Sequence, residues 1–371
     1  MNRLLNYRKN RHGHAVDDHE IVVTGTQPRV HFVVGADGVG LRALVHALQR
    51  FLGHDLKPVD VSVESGQVMR YFRLESLVVT PALTSGPKAI ARYVARYIGA
   101  KLHPGLANRG RGSLFSSEEE AVTSTQAILL AANVGAIIVG PLHTRDAQPL
   151  RAGQGWRMLA SIAIATGIPI VIIGTAGMAV GLVEQSAALS ALTTRGVYLI
   201  EPFDLLSGAW RNLARFIWFK YIASDSQPPQ WFVVELWKLT FGRVELAVKL
   251  GAFIAAAWAV DGRQKLTESL LRGYASTALV LEQPFLGAVQ RAELGGQFGR
   301  GPILRYADWL PLRTVLESFP SLDLGDDYTN NKTYPKRPEP VKAPYGVSAS
   351  PAFSALLPSP HEETPGQGAS Q

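Results

Sequence analysis

The stretch Phe32 to Arg42 reads Phe-Val-Val-Gly-Ala-Asp-Gly-Val-Gly-Leu-Arg, the layout of a phosphate cradle. An apolar run enters a glycine turn, and an amphipathic segment follows. Such a turn lets backbone N–H groups converge on an anion, and the helix N-terminus behind it favours negative charge. In the working form, G-x-x-x-x-G-K-[ST], lysine reaches the outer phosphates and the hydroxyl holds magnesium. Here Gly35, Gly38 and Gly40 keep the glycine frame, but Leu41 and Arg42 stand where the lysine and the hydroxyl are needed. Leucine cannot pair with a phosphate, and a guanidinium offers magnesium no lone pair.

Phosphoryl transfer needs a second device, an acid at the end of a neighbouring strand to hold the metal and orient water. The apolar run Ile137-Ile138-Val139 is the natural place for it, yet Gly140 and Pro141 follow. Thr175, after another apolar run, has the position of a residue that senses the outer phosphate. Two motifs therefore keep their scaffolds and lose their chemical residues, which points to an inactive ATPase with no cofactor. The alternatives are an ATPase that still uses ATP and magnesium through a displaced cation (Arg42 or Lys57) and a displaced acid (Asp146), or a small-molecule-binding module built on an ordinary glycine turn.

The elements that must position these residues follow from periodicity. Short apolar runs at His31–Val34, Ser76–Thr80, Ala136–Val139, Ile168–Ile173 and Val197–Ile200 read as five buried strands. Amphipathic segments separate them: one begins near Leu41, one carries Ile90, Val94, Tyr97 and Ile98, one spans Glu118–Asn133 behind a Ser116 or Ser117 cap, and one covers Met158–Thr166. Strands alternating with helices predict a parallel α/β sheet covered on both faces. Ligands of such sheets sit at the carboxyl ends of the strands. That places Gly35–Arg42, Gly140–His143 and Thr175 on one edge. From Ser207 the pattern is helical only (Ser207–Ile222, Pro229–Phe241, Val244–Val260, Thr267–Glu282), a lid whose aromatic stripe is read as core packing, with a base-stacking platform as the alternative. The expected domains are a polar basic arm (1–28), an α/β core (29–205), the helical lid (206–295), a C-terminal extension (296–322) and a Pro- and Ser-rich disordered tail (323–371).

Composition narrows the class. Hydrophobic residues at 47% against 18% charged exclude a disordered regulator. A net charge of +7 with a pI near 9.6 favours an anionic partner, nucleic acid first. The candidate phosphate contacts are Lys88, Arg92, Arg96, Arg109 and Arg111. The absence of cysteine excludes disulfides, thiolate metal sites and a cysteine nucleophile, and it fits a reducing cytoplasm. No signal peptide is read at the basic N-terminus. The uncharged run Met158–Val183 is broken by Gly167-Ile168-Pro169 and by Gly174, Gly177 and Gly181, so it is read as core rather than a membrane span. His12 and His14 lie near Asp17 and Asp18, but a polar terminal cluster is read as a solvated arm, not a metal site.

From Val33 to Arg291 the chain resembles the TnsC/TniB family, the AAA+ ATPase regulators of bacterial transposons. Gly35–Gly40 resembles the family's G-x-S-G-V-G loop, Leu74–Pro81 its second strand, and Ala89–Leu106 the helix and loop that follow. Asn133–Val139 is similar to its strand before Asp-Glu, and Gly167–Thr175 matches its sensor strand G-I-P-V-V-L-I-G-T. Thr194-Arg195 with Leu199–Pro202 resembles the segment of a family arginine, and Leu239–Leu250 and Gly262–Leu271 look like its lid helices. The resemblance implies a five-stranded AAA+ core with a helical lid. It also implies assembly as a homo-oligomeric ring or filament on double-stranded DNA, bridging a target-selection protein to the transposase, with no membrane partner. Arg195 would be an inter-subunit arginine, in the chain's own assembly or in a ring mixed with an active paralogue. The departures at Leu41, Arg42, Gly140 and Pro141 imply an adaptor that does not hydrolyse ATP.

Overall fold

Short, nearly continuous apolar runs give this chain a parallel sheet covered by helices on both faces. The computed structural model describes residues 28–62, 68–80, 82–102, 115–147, 149–183, 185–223, 225–262, 264–296, 298 and 300–317, all within one compact unit. The expected arm (save Pro28), the expected tail, the His12 and His14 cluster, and Arg109 and Arg111 lie outside the described residues.

The first part of the chain runs β1 (Val30–Gly35), α1 (Leu41–Leu52), β2 (Leu56–Ser62), β3 (Val68–Leu74), β4 (Leu77–Val79), α2 (Gly86–Leu102) and α3 (Glu118–Ala131). It continues through β5 (Ile137–Leu142), α4 (Pro149–Thr166), β6 (Ile170–Gly174), α5 (Ala176–Val183), α6 (Ser186–Leu192) and β7 (Val197–Ile200). Five strands form a parallel sheet in the order β4-β5-β6-β1-β7. Val30, Phe32, Val34, Ile137, Val139, Ile170 and Ile172 face the larger core with Ile90, Val94, Trp156 and Leu159 of α2 and α4. Ile138 and Ile173 face the other way, onto Leu41 and Val45 of α1. This is the five-stranded parallel α/β architecture expected from the alternation of elements.

The helical part comprises α7 (Gly208–Ile217), widening into a π turn over Trp218–Ile222, then α8 (Gln230–Thr240), α9 (Val244–Asp261), α10 (Glu268–Ala278), α11 (Gln283–Glu293), α12 (Arg300–Tyr306) and α13 (Leu312–Glu317). Ser207 caps α7 by accepting from the Trp210 amide at 3.1 Å, and Thr267 caps α10 through the Leu270 amide at 3.3 Å. Trp210 and Phe232 are fully buried, and Trp218 meets Phe232 edge-on at 4.9 Å. These rings pack the core, while Phe216 is half exposed.

Four local expectations are corrected. The antiparallel hairpin β2–β3, with Arg70 bridging both Asp60 carboxylate oxygens at 2.8 and 3.1 Å, is absent from the expected elements. Helix α4 begins at Pro149 rather than Met158. Gly174 and Gly181, which read as breaks, are close-approach positions, since a Cβ there would lie 2.4 Å from the Leu142 carbonyl and 1.8 Å from the Ala147 carbonyl. The glycine-interrupted stretch after Thr175 forms two further helices, α5 and α6. Strand β7 is not buried on both faces: Val197, Tyr198 and Leu199 are 45, 52 and 54% exposed. Among the described residues no helix is long and apolar enough to cross a membrane.

Candidate functional site

The carboxyl ends of β1, β5 and β6 lie side by side and bring together the glycine loop, the segment Leu142–Asp146, and Gly174–Thr175. Gly38 and Gly40 take φ of 83° and 103°, which side-chain-bearing residues rarely adopt. The Gly40 carbonyl accepts from the Leu44 amide at 2.9 Å and opens α1, with no side chain capping the helix. Leu41 is turned into the apolar cluster of Val45, Val78, Ile138 and Ile173, away from any ligand. Arg42 is exposed, and its charge favours ionised Asp37.

At the end of β5 the ladder register shifts between Val139 and Leu142, and Gly140 joins Pro141 through a cis peptide. Gly140 has φ of 121°, and a Cβ there would lie 2.1 Å from the Ile173 carbonyl. No side chain fits at this position. Beyond it, His143 faces two carboxylates, with Nε2 3.7 Å from Asp37 Oδ1 and Nδ1 3.6 Å from Asp146 Oδ2. The Asp146 carboxylate also accepts from the His143 amide at 3.0 Å. Asp37 holds the imidazole above its ordinary pKa against the opposing effect of burial, and the charges of Asp308 and Asp146 add to it. Burial pushes the Asp37 carboxyl up, but His143, the Gly38 amide and Arg42 outweigh it and hold the group below its usual range.

A turn between α12 and α13 closes over the loop. The Asp37 amide donates to the Asp308 carbonyl at 2.6 Å. Asp308 Oδ1 accepts from the Thr144 amide and hydroxyl, both at 2.8 Å, and from the buried Thr175 hydroxyl. Arg243, at the start of α9 and 1% exposed, donates Nε to the Asp37 carbonyl at 3.1 Å and Nη2 to the Trp309 carbonyl at 2.7 Å. Its guanidinium lies over the Trp309 ring, and its Nη1 has no hydrogen-bond partner. Burial pushes Arg243 down to about 10, so it stays cationic at neutral pH. Beside the loop, a cavity of about 400 Å³ is lined by Gly35, Phe203, Trp237, Arg243 and Glu293, among others. Burial pushes Glu293 up, and Arg243 pulls it back only in part.

These groups do not fit a magnesium–nucleotide. Leu41 faces the core, Gly140 and Pro141 carry no ligand atom on their side chains, and the Asp37 amide already has an acceptor. Of the displaced candidates, Arg42 and Asp146 stand near the loop, whereas Lys57 is paired with Glu75 at 2.6 Å. Thr175 reaches the site through Asp308. Arg195 does not reach it. Its amide bonds the Val30 carbonyl at the amino end of β1, roughly 16 Å along the strand from Gly35 at about 3.3 Å per residue. Among the described residues no group of three or more His, Asp or Glu side chains could hold a metal.

The candidate DNA contacts Lys88, Arg92 and Arg96 lie on α2, away from the glycine loop. Arg92 and Arg96 flank a shallow groove of about 410 Å³ shared with Tyr93 and Tyr97, whose rings stack at 6.2 Å. Lys88 Nζ donates to the Ser116 carbonyl at 2.7 Å.

Sequence reading alone does not single out Asp37, Thr144, Arg243, Asp308 or Trp309, and it gives His143 no role beyond its place at a strand end. An aspartate inside a glycine loop is a visible signal for the first. Nothing local marks Asp308, which meets its partners only through the fold.

No family model and no curated protein matches the sequence. Among solved structures, the ORC2 protein of Aeropyrum pernix in its ADPNP–ADP complexes is similar at 12% identity and a TM-score of 0.40, covering 78% of this chain and 75% of that one. Its ADP form is similar at 14% identity and a TM-score of 0.42, covering 83% of each chain.

Proposed function

We propose that this chain is a non-hydrolysing regulator of the AAA+ type, related to the TnsC/TniB transposition regulators. It assembles on duplex DNA and links a target-selection protein to a transposase. The observation that carries this reading is the double loss at the strand ends. Leu41 packs inward where a lysine would face phosphate, and Gly140 sits where no acid can be built without striking the Ile173 carbonyl. A scaffold of this kind needs its α/β frame and its DNA contacts but not a hydrolytic cycle. The stacked tyrosines between Arg92 and Arg96, together with the basic charge of the chain, supply a surface for a phosphate backbone. Because Arg195 lies at the amino end of the sheet, away from its own loop, any nucleotide it meets is that of a neighbouring subunit.

The test is negative-stain imaging of the full chain with duplex DNA, with and without magnesium–ATP, beside a phosphate-release assay. Rings or filaments that form equally in both conditions, with no phosphate released, support the reading. Assemblies that require ATP, or release above background, overturn it.

A further inference from the structure

Three features of the fold converge on one short turn. The glycine-loop amide of Asp37, the threonine hydroxyls at the ends of β5 and β6, and the buried guanidinium of Arg243 are all groups that recognise oxyanions. Each of them is engaged by Asp308 or Trp309. The Asp308 carbonyl takes the loop amide, its carboxylate takes Thr144 and Thr175, and the Trp309 carbonyl takes Arg243. We propose that the Ala307–Trp309 turn is an internal ligand of the glycine loop. Its carboxylate and carbonyls stand where a polyphosphate would bind, and they hold the loop in shape without nucleotide. This inference rests on the non-hydrolysing reading and names the regulation of that same site.

The turn is anchored as a ligand would need to be. Ala307 and Leu310 are fully buried, and the Trp309 ring stacks on Phe285 at 5.1 Å while Arg243 covers it. Room for the carboxylate is made by Gly177 at the start of α5, where a Cβ would lie 1.8 Å from Thr144 Oγ1 and 2.9 Å from Asp308 Oδ1. The unpartnered Nη1 of Arg243 shows that the turn leaves one buried donor unused. A true oxyanion has more acceptor sites than a carbonyl. The internal ligand is therefore displaceable in principle, and its carboxylate anchor keeps it in place.

Purified full-length wild type, Asp308→Ala and Asp308→Asn are melted with increasing inorganic pyrophosphate, against a chloride series of matched ionic strength. Wild type should show no pyrophosphate-specific shift. Asp308→Ala should melt lower and recover several degrees as pyrophosphate fills the released site. Asp308→Asn keeps the shape and one acceptor oxygen, so it should fall between the two, and it decides the question by the same criterion if Asp308→Ala does not fold. A folded variant that gains no more than wild type overturns the internal ligand, as does a wild type stabilised as strongly as the variants. If wild type releases no phosphate from magnesium–ATP in those cases, the non-hydrolysing reading stands alone. Release by the wild type overturns both.

Discussion

Replacing Gly177 with alanine is judged with opposite signs by helix propensity and by this structure. Gly177 lies in the first turn of α5, and alanine for glycine in a helix ordinarily stabilises by up to about 1 kcal/mol. Here the new methyl would lie 1.8 Å from Thr144 Oγ1 and 2.9 Å from both Thr144 Cβ and Asp308 Oδ1. The threonine must swing away and surrender its hydrogen bond to a carboxylate, a loss of about 1.5–3 kcal/mol. Crowding of a well-packed site adds about 1–3 kcal/mol. After the propensity gain is subtracted, the net loss is about 1.5–5 kcal/mol, a fall in Tm of roughly 3–10 °C for a unit of this size. Thermal melts of wild type, Gly177→Ala, Thr144→Ala and the double variant provide the assay. Thr144→Ala removes the 1.8 Å contact and leaves the two at 2.9 Å, so the double variant should lose clearly less than the sum of the single losses. A Gly177→Ala protein that melts at or above wild type would refute the packing of Asp308 against Thr144.

The Asp37–His143 pair predicts a pH signature. His143 is raised above 6.5, so its contribution is complete below that value and fades as pH climbs through the raised folded pKa. Asp37 is lowered below 3.8, so its contribution is complete above that value and fades as pH falls through the depressed one. With Asp146 and Asp308 facing the imidazole and Arg42 and Glu245 near the aspartate, the Tm gap between wild type and His143→Gln should be widest between those two values and narrow toward alkaline pH. A gap that widens as pH rises would contradict the assignment. Returning an acid by Gly140→Asp should lower stability by at least about 3 kcal/mol, because a Cβ at positive φ meets the Ile173 carbonyl at 2.1 Å. Combining it with Leu41→Lys should yield no phosphate release, and a hydrolysing double variant would show that the backbone had not diverged. On α2, Arg92→Ala with Arg96→Ala should weaken duplex binding and flatten the slope of log affinity against log salt by about 0.9 for each phosphate no longer neutralised. An unchanged slope places the DNA elsewhere.

What the sequence made legible is what local rules govern. Short apolar runs located all five strands of the main sheet, the Ser117 side chain caps α3 by accepting from the Glu120 amide at 3.0 Å, and the glycine turn stands between β1 and α1. Local rules misled where glycine and proline had tertiary reasons to be present. Gly174 and Gly181 read as breaks in the uncharged run, yet they let β6 and α5 pass within close contact of the Leu142 and Ala147 carbonyls. The hairpin β2–β3 is missing from the expected strands; a proline such as Pro58 is tolerated in a two-stranded ribbon with an open edge. Nothing in the sequence singles out Arg243. Only the packed fold makes it a buried cation holding two carbonyls from distant segments.

The same contrast explains how a loop can lose its catalytic residues and keep its conformation. A glycine turn at a helix N-terminus leaves amides that must be satisfied when water is excluded. On the non-hydrolysing reading proposed above, Leu41 and Gly140 remove the reason to bind nucleotide, but the loop amides still need acceptors. The Gly38 and Val39 amides find acceptors within the loop, in the Asp37 side chain and the Ala36 carbonyl, and the Asp37 amide finds its acceptor in residue 308, 271 positions later in the sequence. On the reading proposed above, absence of hydrolytic chemistry and presence of an internal acceptor are therefore coupled. A chain with Leu41 and Gly140 but without the Asp308 turn would carry an unsatisfied loop at the centre of its sheet. That coupling makes Asp308, rather than any residue of the glycine motif, the position at which this fold should be most sensitive to a change of charge.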